Sequence, residues 1–309
     1  MSVVALKNST LVRKAIALAL TRAAFVVGGV LSPRRTAYHA ARLFATPFAS
    51  SRSRARAAPI DADMRRADLH IGGRSIATYV WGDPAAQPYV LFSHGWSSFG
   101  LRFAPWVPRL RRLGYAVVTF DQAGHGQSSG RFSTLPDFAD TLRAVGQHFG
   151  NPALLVAHSF GGPATALAQD ASFRPERIVL IAPASDISAA VRRFFRFIHL
   201  SDGLREHFFA WHKRRTGIDA RDLALHDRLP AFSQPALIVH DLDDYRVPWG
   251  EGEYYARLWP GARLLTTTGL GHNRIVDDAA VIEQALSFAR GERVGDRVIA
   301  SPNLRFGFA

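Results

Sequence analysis

Residues 153–162 read Ala-Leu-Leu-Val-Ala-His-Ser-Phe-Gly-Gly, an apolar run that leads into a serine flanked by small residues. The apolar part favours a buried strand, and the residues from Gly161 onward have the pattern of a helix. A serine on a very tight turn between a strand and a helix has its hydroxyl held exposed. Such a turn needs small residues two positions before and two positions after the serine. Because Ala157 and Gly161 occupy those positions, we predict that Ser159 is a nucleophile.

Short apolar runs alternate with longer amphipathic stretches from about Asp68 onward, which is typical of repeated βα units and a mostly parallel sheet. The predicted strands are Ser75–Trp81, Tyr89–Ser93, Ala116–Phe120, Ala153–Ala157, Ile178–Ile181, Ala236–His240 and Arg263–Thr267. The predicted helices are Arg102–Leu113, Pro136–Phe149, Gly161–Asp170, Glu251–Leu258 and Asp277–Arg290. The 47-residue connection from Asp186 to Phe232 is too long for a bare loop, so we expect it to carry structure of its own.

Four further motifs follow predicted strands. Residues 93–96 read Ser-His-Gly-Trp, and residues 121–128 read Asp-Gln-Ala-Gly-His-Gly-Gln-Ser. Residues 240–248 read His-Asp-Leu-Asp-Asp-Tyr-Arg-Val-Pro, and residues 269–272 read Gly-Leu-Gly-His. Together with the serine turn, these motifs resemble those of the α/β-hydrolase family, and the resemblance extends from about residue 68 to 290.

The resemblance implies an α/β fold with a mostly parallel, eight-stranded sheet flanked by helices. It also implies a small helical cap after the sixth strand, at about residues 186–232. The predicted catalytic residues are Ser159, Asp244 and His272, which occur in the chain order expected on this fold. Asp244 alone satisfies the family's D-x-x-V-P spacing, and we expect the two nearby aspartates, Asp241 and Asp243, to bond local backbone N–H groups as turn residues.

The first of the four motifs falls where the family has its oxyanion loop, so the resemblance implies the backbone N–H groups of Trp96 and Phe160 as the oxyanion donors. In the second motif, the resemblance implies structural roles for the aspartate and the histidine. The residues that we expect near the site in structural roles are His94, Gly95, Asp121, His125 and His158.

These residues predict a serine hydrolase, in the first place a carboxylesterase that cleaves small to medium acyl esters through an acyl-enzyme. A serine in place of an aspartate nucleophile argues against the dehalogenase and epoxide hydrolase branches. Two alternatives stay open: a thioesterase or lipase-like acyl hydrolase, and a catalytically silent fold used for binding. We expect no cofactor and no metal, since the chain has no cysteine and no metal-ligand motif. Two interpretations stay open for the aromatic and basic residues of the cap. They line an acyl pocket, or they form the cap's own core and surface.

The chain has 309 residues, with 38 Lys and Arg against 25 Asp and Glu, for a net charge of +13. Residues 1–58 contain ten of the basic residues and no acidic one, so the rest of the chain carries only 13 − 10 = +3. A nearly neutral domain without a nucleic-acid-binding motif argues against a nucleic-acid partner. The expected partner is a small-molecule acyl substrate.

We predict a boundary between a basic N-terminal segment, residues 1–58, and a hydrolase domain, residues 59–309. Arg22 interrupts the apolar span at residues 15–31 and disfavours a transmembrane helix, because a central arginine costs about 2.5 to 3.5 kcal/mol on insertion. Three interpretations of the segment stay open: a membrane-associating anchor, a cleaved targeting peptide, or extra helices packed on the domain. The expected localisation is cytoplasmic, with peripheral membrane contact through residues 1–58 as the alternative, and the oligomeric state is open.

Overall fold

The computed structural model describes residues 3–298, which form two compact units. The helical unit comprises the described residues up to Ala45 together with Asp186–Leu223. The sheet unit comprises Thr46–Ser185 together with the described residues from Ala224 onward. Residues 46–58, which the sequence grouped with the basic N-terminal segment, therefore belong to the sheet unit.

Eight strands form one sheet, in the spatial order β1-β2-β4-β3-β5-β6-β7-β8. They are β1 (Met64–Ile71), β2 (Arg74–Trp81), β3 (Tyr89–Ser93), β4 (Ala116–Phe120), β5 (Leu154–His158), β6 (Arg177–Ile181), β7 (Ala236–Asp241) and β8 (Ala262–Thr267). Strand β2 runs antiparallel to β1 and β4, and all other neighbouring strands are parallel. The predicted mostly parallel sheet of eight strands is confirmed, and the seven strands placed from the sequence agree within one residue at each end.

The eighth strand, β1, has no counterpart among the apolar runs of the sequence. It pairs with only one neighbour, and most of its side chains are exposed, so it has no apolar pattern to reveal it. The turn to β2 is formed by Gly72 and Gly73, both with positive φ, which is the backbone that a two-residue hairpin requires. This glycine pair is the signal in the sequence that could have found the strand.

The α-helices, in chain order, are α1 (Val3–Leu31), α2 (Pro33–Phe44), α3 (Ala49–Ala57), α4 (Val107–Arg112), α5 (Leu135–Phe149), α6 (Gly161–Ala168), α7 (Ile187–Ile198), α8 (Arg205–Thr216), α9 (Trp249–Leu258), α10 (Gly271–Arg274) and α11 (Ala279–Ala289). Helix α5 begins at a capping box, in which Thr134 and Asp137 satisfy each other's backbone N–H groups. The helix predicted at Arg102–Leu113 was wrong in its first half. A 3₁₀ segment at Gly100–Trp106, which contains Pro105, precedes the shorter α4.

Strands β3, β4, β5 and β7 are buried along their whole length, as parallel strands covered on both faces are. Their side chains form the core of the sheet unit with residues of α4 and α11, such as Leu110 and Leu286. Strands β3 to β8 are parallel to one another, so the loops at their carboxyl ends lie along one edge of the sheet. Every side chain predicted to act in catalysis follows such a strand.

The helical unit contains α1, α2, α7 and α8. Its core contains large side chains from α1, α7 and α8, which pack against the small residues Ala40 and Ala41 of α2. The large buried residues are Phe25, Val191, Phe195, Ile198, Leu200 and Phe208. Several aromatic rings of the predicted cap thus belong to a core of this unit. No helix within residues 3–298 is long and apolar enough to cross a membrane.

Candidate active site

Ser159 stands on the turn between β5 and α6, with a φ of 54°, in the left-handed region that a serine rarely adopts. Its backbone is fixed on both sides, because its N–H donates to Ile181 O at 2.9 Å and its carbonyl accepts from Gly162 N–H at 2.9 Å. A Cβ on Gly161 would lie 2.7 Å from the carbonyl oxygen of Ser93, so only glycine fits there. The tight turn expected from the small residues around the serine is therefore present.

His272 lies at the start of α10, beyond the end of β8, with its ring between the two other predicted catalytic residues. Its Nε2 is 2.9 Å from Ser159 Oγ, and its Nδ1 is 2.6 Å from Asp244 Oδ2. A carboxylate can only accept, so the imidazole carries its proton on Nδ1 and offers Nε2 as the acceptor for the serine hydroxyl. The three side chains form one hydrogen-bonded line, although the first and the last are 113 residues apart in the chain.

Asp244 is held as a carboxylate by its surroundings. Burial alone would raise the pKa of this carboxyl, but hydrogen bonds from His240, His272 and the Val247 N–H outweigh burial and hold the pKa below its ordinary value. The second carboxylate oxygen, Oδ1, accepts from the N–H groups of Arg246 and Val247, at 2.9 and 3.0 Å. An aspartate fixed in this way orients the imidazole and stabilises a positive charge on it.

The two other aspartates of this loop position the histidine loop, which the sequence did not reveal. Asp241 accepts from the N–H groups of Leu270 and Gly271 at 3.1 and 3.0 Å, and Asp243 accepts from the Gly269 N–H at 2.7 Å. The expectation of a local backbone partner holds for Asp241, which also accepts from the Asp243 N–H at 3.0 Å, but it did not include the histidine loop. The partners in that loop lie 26 to 30 residues away, and these bonds fasten the loop from which His272 projects.

The loop after β3 comes into van der Waals contact with the serine turn. A Cβ on Gly95 would lie 2.8 Å from Ser159 Cβ, so a side chain there would push the two loops apart. Trp96 follows this glycine and Phe160 follows the serine, and their rings meet edge to face at 5.6 Å between centroids. The N–H of Phe160 lies at the N-terminal end of α6, where helix amides lack partners within the helix. This geometry puts the two predicted oxyanion donors on adjoining loops.

His94 and Asp121 stabilise these loops. The Nδ1–H of His94 donates to Gly95 O at 2.7 Å, and its Nε2 accepts from the Gln122 N–H at 3.0 Å. Burial lowers the pKa of His94 and keeps the ring neutral, as this pair of hydrogen bonds requires. Asp121 accepts from the Tyr79 hydroxyl at 2.9 Å and from the Gly100 N–H at 2.7 Å.

His125 and His158 are both buried, with pKa values lowered well below the ordinary range by burial. His125 packs edge to face against Trp96 and Phe138, with centroid distances of 5.0 and 5.1 Å. His158 donates from Nε2 to the backbone carbonyl of His272 at 3.0 Å. Neither imidazole is hydrogen-bonded to Ser159 or Asp244 in the described chain, so both have the geometry of supporting groups.

Two arginines of α3 reach the same loops, and nothing in the sequence distinguished them from the other basic residues. The Arg52 guanidinium donates to four backbone carbonyls, those of residues 124, 126, 128 and 130, at 2.6 to 3.3 Å. The Arg54 guanidinium donates to the carbonyl of Ser97 at 2.9 Å, directly after Trp96. The Ser97 hydroxyl accepts from the Phe48 N–H at 2.9 Å. This part of the basic segment therefore fastens the loops around the site.

No group of three or more His, Cys, Asp or Glu side chains within residues 3–298 could hold a metal ion. Ser159, His272 and Asp244 are instead bonded to one another, and Asp244 also to the backbone. The chemistry that this arrangement can supply is that of an activated hydroxyl beside a neutral imidazole.

A sequence profile described as serine aminopeptidase, S33, matches residues 84–242, which is half of the chain. The chain belongs to this family of α/β-hydrolases. The matched stretch of this chain contains Ser159 and the motifs at residues 93–96 and 121–128. It ends two residues before Asp244 and 30 before His272, so the assignment of both rests on the geometry above.

Two relatives of this family member carry names of ester hydrolases. The chain is 34% identical over 113 residues to a monoglyceride lipase of Rattus norvegicus, covering 33% of this chain and 36% of the relative. It is 43% identical over 68 residues to methylesterase 9 of Arabidopsis thaliana, covering 20% of this chain and 27% of the relative. The chain thus matches about a third of the length of these relatives.

Solved structures share the fold at low sequence identity. A hydrolase from Pseudomonas aeruginosa superposes with a TM-score of 0.58 at 21% identity, covering 75% of this chain and all of the other. A bacterial membrane phospholipase A superposes with a TM-score of 0.59 at 16% identity, covering 92% of this chain and 98% of the other. Both likenesses support the α/β-hydrolase fold.

Proposed function

We propose that this chain is a serine hydrolase, and specifically a carboxylesterase that cleaves small to medium acyl esters through an acyl-enzyme. The observation that carries the proposal is the hydrogen-bonded line from Asp244 through His272 to Ser159. The reaction needs a carboxylate, a neutral imidazole and a hydroxyl, and the hydrogen bonds of the line fit that arrangement.

In the first step, Ser159 Oγ attacks the carbonyl carbon of the ester while His272 Nε2 takes up the hydroxyl proton. Asp244 stabilises the imidazolium that forms, and the tetrahedral intermediate carries its negative charge on the former carbonyl oxygen. Collapse of the intermediate breaks the bond to the alkoxy oxygen, which leaves as the alcohol with the proton from His272. Water then attacks the acyl-enzyme by the same route, and the products are the carboxylic acid and the free serine.

The backbone N–H groups of Trp96 and Phe160 are the proposed donors to the oxyanion. The close approach of Gly95 to Ser159 supports this assignment, because it brings the Trp96 loop beside the nucleophile. Such donors are fixed before the reaction begins, and losing one costs about 2.7 to 4 kcal/mol of transition-state stabilisation. The supporting residues Arg54 and His94 hold the first of these loops.

The two relatives named as a monoglyceride lipase and a methylesterase support an ester as the substrate. The first of them also favours a second candidate, a lipase-like or thioesterase activity on longer acyl groups. The two candidates share one mechanism and differ only in acyl length and leaving group. A panel of esters and acyl-CoA thioesters with graded acyl chains separates them by kcat/KM.

Labelling with a fluorophosphonate tests the shared mechanism, because this reagent needs a nucleophilic serine activated by a base. We expect the full-length protein to be labelled, and Ser159→Ala to be unlabelled and inactive. Ser172→Ala removes an exposed serine that bonds Asp170 and serves as the matched control, with labelling unchanged. A folded wild-type protein that is neither labelled nor active on any member of the panel would establish the alternative, a silent fold used for binding.

A further inference from the structure

Helix α1 exposes a row of large apolar side chains to solvent. Their exposed fractions run from 49% to 79%. The residues are Val12, Ile16, Leu20, Val26, Val27, Val30 and Leu31. Soluble proteins rarely leave so many large apolar side chains uncovered on one element, and such patches mark interaction sites.

The seven side chains share one face of the helix. At about 100° per residue they fall within an arc of roughly 140°, which we call the apolar face of α1. Phe25, which is buried in the core of the helical unit, projects from the opposite side. Arg22 lies outside the arc, where its guanidinium donates to Phe197 O at 2.8 Å. Arg22, which interrupts the apolar span in the sequence, therefore leaves the apolar face intact.

The charged residues of the segment that contains the apolar face are all of one sign. Residues 1–58 contain no Asp or Glu, and the first acidic residue of the chain is Asp61. Arg13 is exposed at the edge of the arc, and Arg34 and Arg35 are exposed just beyond the end of the helix. An apolar face with cations beside it is complementary to a surface that offers hydrocarbon below a layer of negative charge.

We propose that α1 lies flat in the interface of an anionic lipid bilayer. The apolar face rests among the upper acyl chains, and Arg13 and Arg34 meet the phosphate groups. Burial of large apolar side chains and the attraction of basic residues to an anionic surface both favour binding. Together these contributions are enough for stable but reversible attachment without a membrane-spanning helix.

Sedimentation of the full-length protein with lipid vesicles tests the proposal. We expect the protein to sediment with vesicles of phosphatidylcholine and phosphatidylglycerol, less with phosphatidylcholine alone, and less again at high salt. The double variant Leu20→Glu and Val27→Glu should lower the partition coefficient about tenfold or more, because it places two charges on the apolar face. Both positions are exposed, so the fold should be kept, and a thermal melt checks this.

The matched control is the double variant Ile60→Glu and Leu113→Glu, which makes the same charge change at two separate, exposed apolar positions of the sheet unit. We expect it to sediment like the wild type. The proposal is overturned if both double variants lose binding equally, or if the wild type fails to sediment with anionic vesicles at low salt. It is also overturned if the wild type is a dimer in solution that only the α1 variant dissociates, since the apolar face would then join two copies of the chain.

Discussion

Buried polar side chains occur in the sheet unit but not in the described part of the helical unit, which instead exposes apolar side chains. All of the described polar and charged residues with less than 9% exposure lie in the sheet unit, including Ser159, Asp244 and His272. Its exposed large apolar residues are Phe48, Ile60, Leu113, Leu242 and Tyr245. The helical unit has instead the continuous apolar face of α1. Burying polar groups costs free energy unless they are paired, and exposing apolar groups costs free energy unless they are covered.

The contrast teaches that each unit departs from ordinary packing in a different way, and that the departure indicates its role. In the sheet unit, the departure is a network of buried hydrogen bonds around one hydroxyl, which suits chemistry. In the helical unit, it is an uncovered surface, which suits attachment. Substitutions in the network should therefore change turnover or folding, and should leave vesicle binding by α1 as it is.

The largest effect is expected at the acid of the network. Asp244→Asn should lower kcat for an ester about ten-thousand-fold, because an amide no longer holds His272 in the tautomer that accepts the serine proton. Steady-state kinetics on the best ester of the panel measures the loss. Asp243→Asn is the matched control, since its side-chain oxygen can still accept from the Gly269 N–H, and it should lose less than about tenfold. Equal losses of kcat in the two variants would contradict the proposed role of Asp244.

A smaller loss is expected at the contact between the oxyanion loop and the serine turn. Gly95→Ala adds a methyl group that would lie 2.8 Å from Ser159 Cβ, so the loop must move and its N–H donor with it. We expect kcat to fall about 100-fold to 1,000-fold with little change in KM, as for the loss of one oxyanion donor. Gly250→Ala, in α9, where an added Cβ meets nothing within 4 Å, should leave kcat unchanged. A rise in KM alone would instead indicate a change in substrate binding.

The contribution of α3 to the network is measured as a change in the free energy of unfolding. Arg52→Gln should lower the free energy of unfolding by about 2 to 4 kcal/mol, because four backbone carbonyls lose a charged donor. Arg56→Gln is the control, since Arg56 is exposed and has no hydrogen bond or ion pair within the described chain, and it should change stability by less than about 0.5 kcal/mol. Denaturant unfolding followed by tryptophan fluorescence compares the two. Similar stabilities would mean that the loops hold their shape without Arg52.

The smallest effect on stability per residue is expected from a change in pH. Burial lowers the pKa values of His94, His125 and His158, so below an unfolded-state pKa of about 6.5 the unfolded chain takes up protons that the folded chain does not. Stability should therefore fall as pH drops from 6.5 towards 5, by up to about 1.4 kcal/mol per pH unit for each histidine. His125→Gln should make this slope shallower, and His70→Gln, at an exposed position, should not. A flat profile would mean that these rings can accept protons in the fold.

The serine turn and the order of the catalytic residues could be predicted because each depends on short-range geometry. Gly161 and Gly95 are required where two backbones nearly touch, and a requirement of that kind leaves a mark at a fixed spacing in the sequence. Strand β1 was missed because an exposed edge strand has no apolar pattern. Pro105 explains the wrong start of α4, because within an α-helix its ring would clash with the carbonyl four residues earlier.

The supporting residues could not be predicted, because their partners are distant in the chain. The four carbonyls that accept from Arg52 lie 72 to 78 residues later in the chain. The N–H groups of the histidine loop that donate to Asp241 lie 29 and 30 residues later. A basic run looks the same in a sequence whether its side chains meet solvent or backbone. The division of residues 1–58 between two compact units is likewise a result of packing.

The sequence by itself determined the fold, the candidate nucleophile and the concentration of positive charge in the first 58 residues, because periodicity, tight turns and charge are local properties of a chain. Only the tertiary structure decided which arginines hold the loops of the site and which face of α1 stays uncovered. Both outcomes depend on the groups that lie opposite each side chain in space, and elements far apart in the sequence bring those groups there.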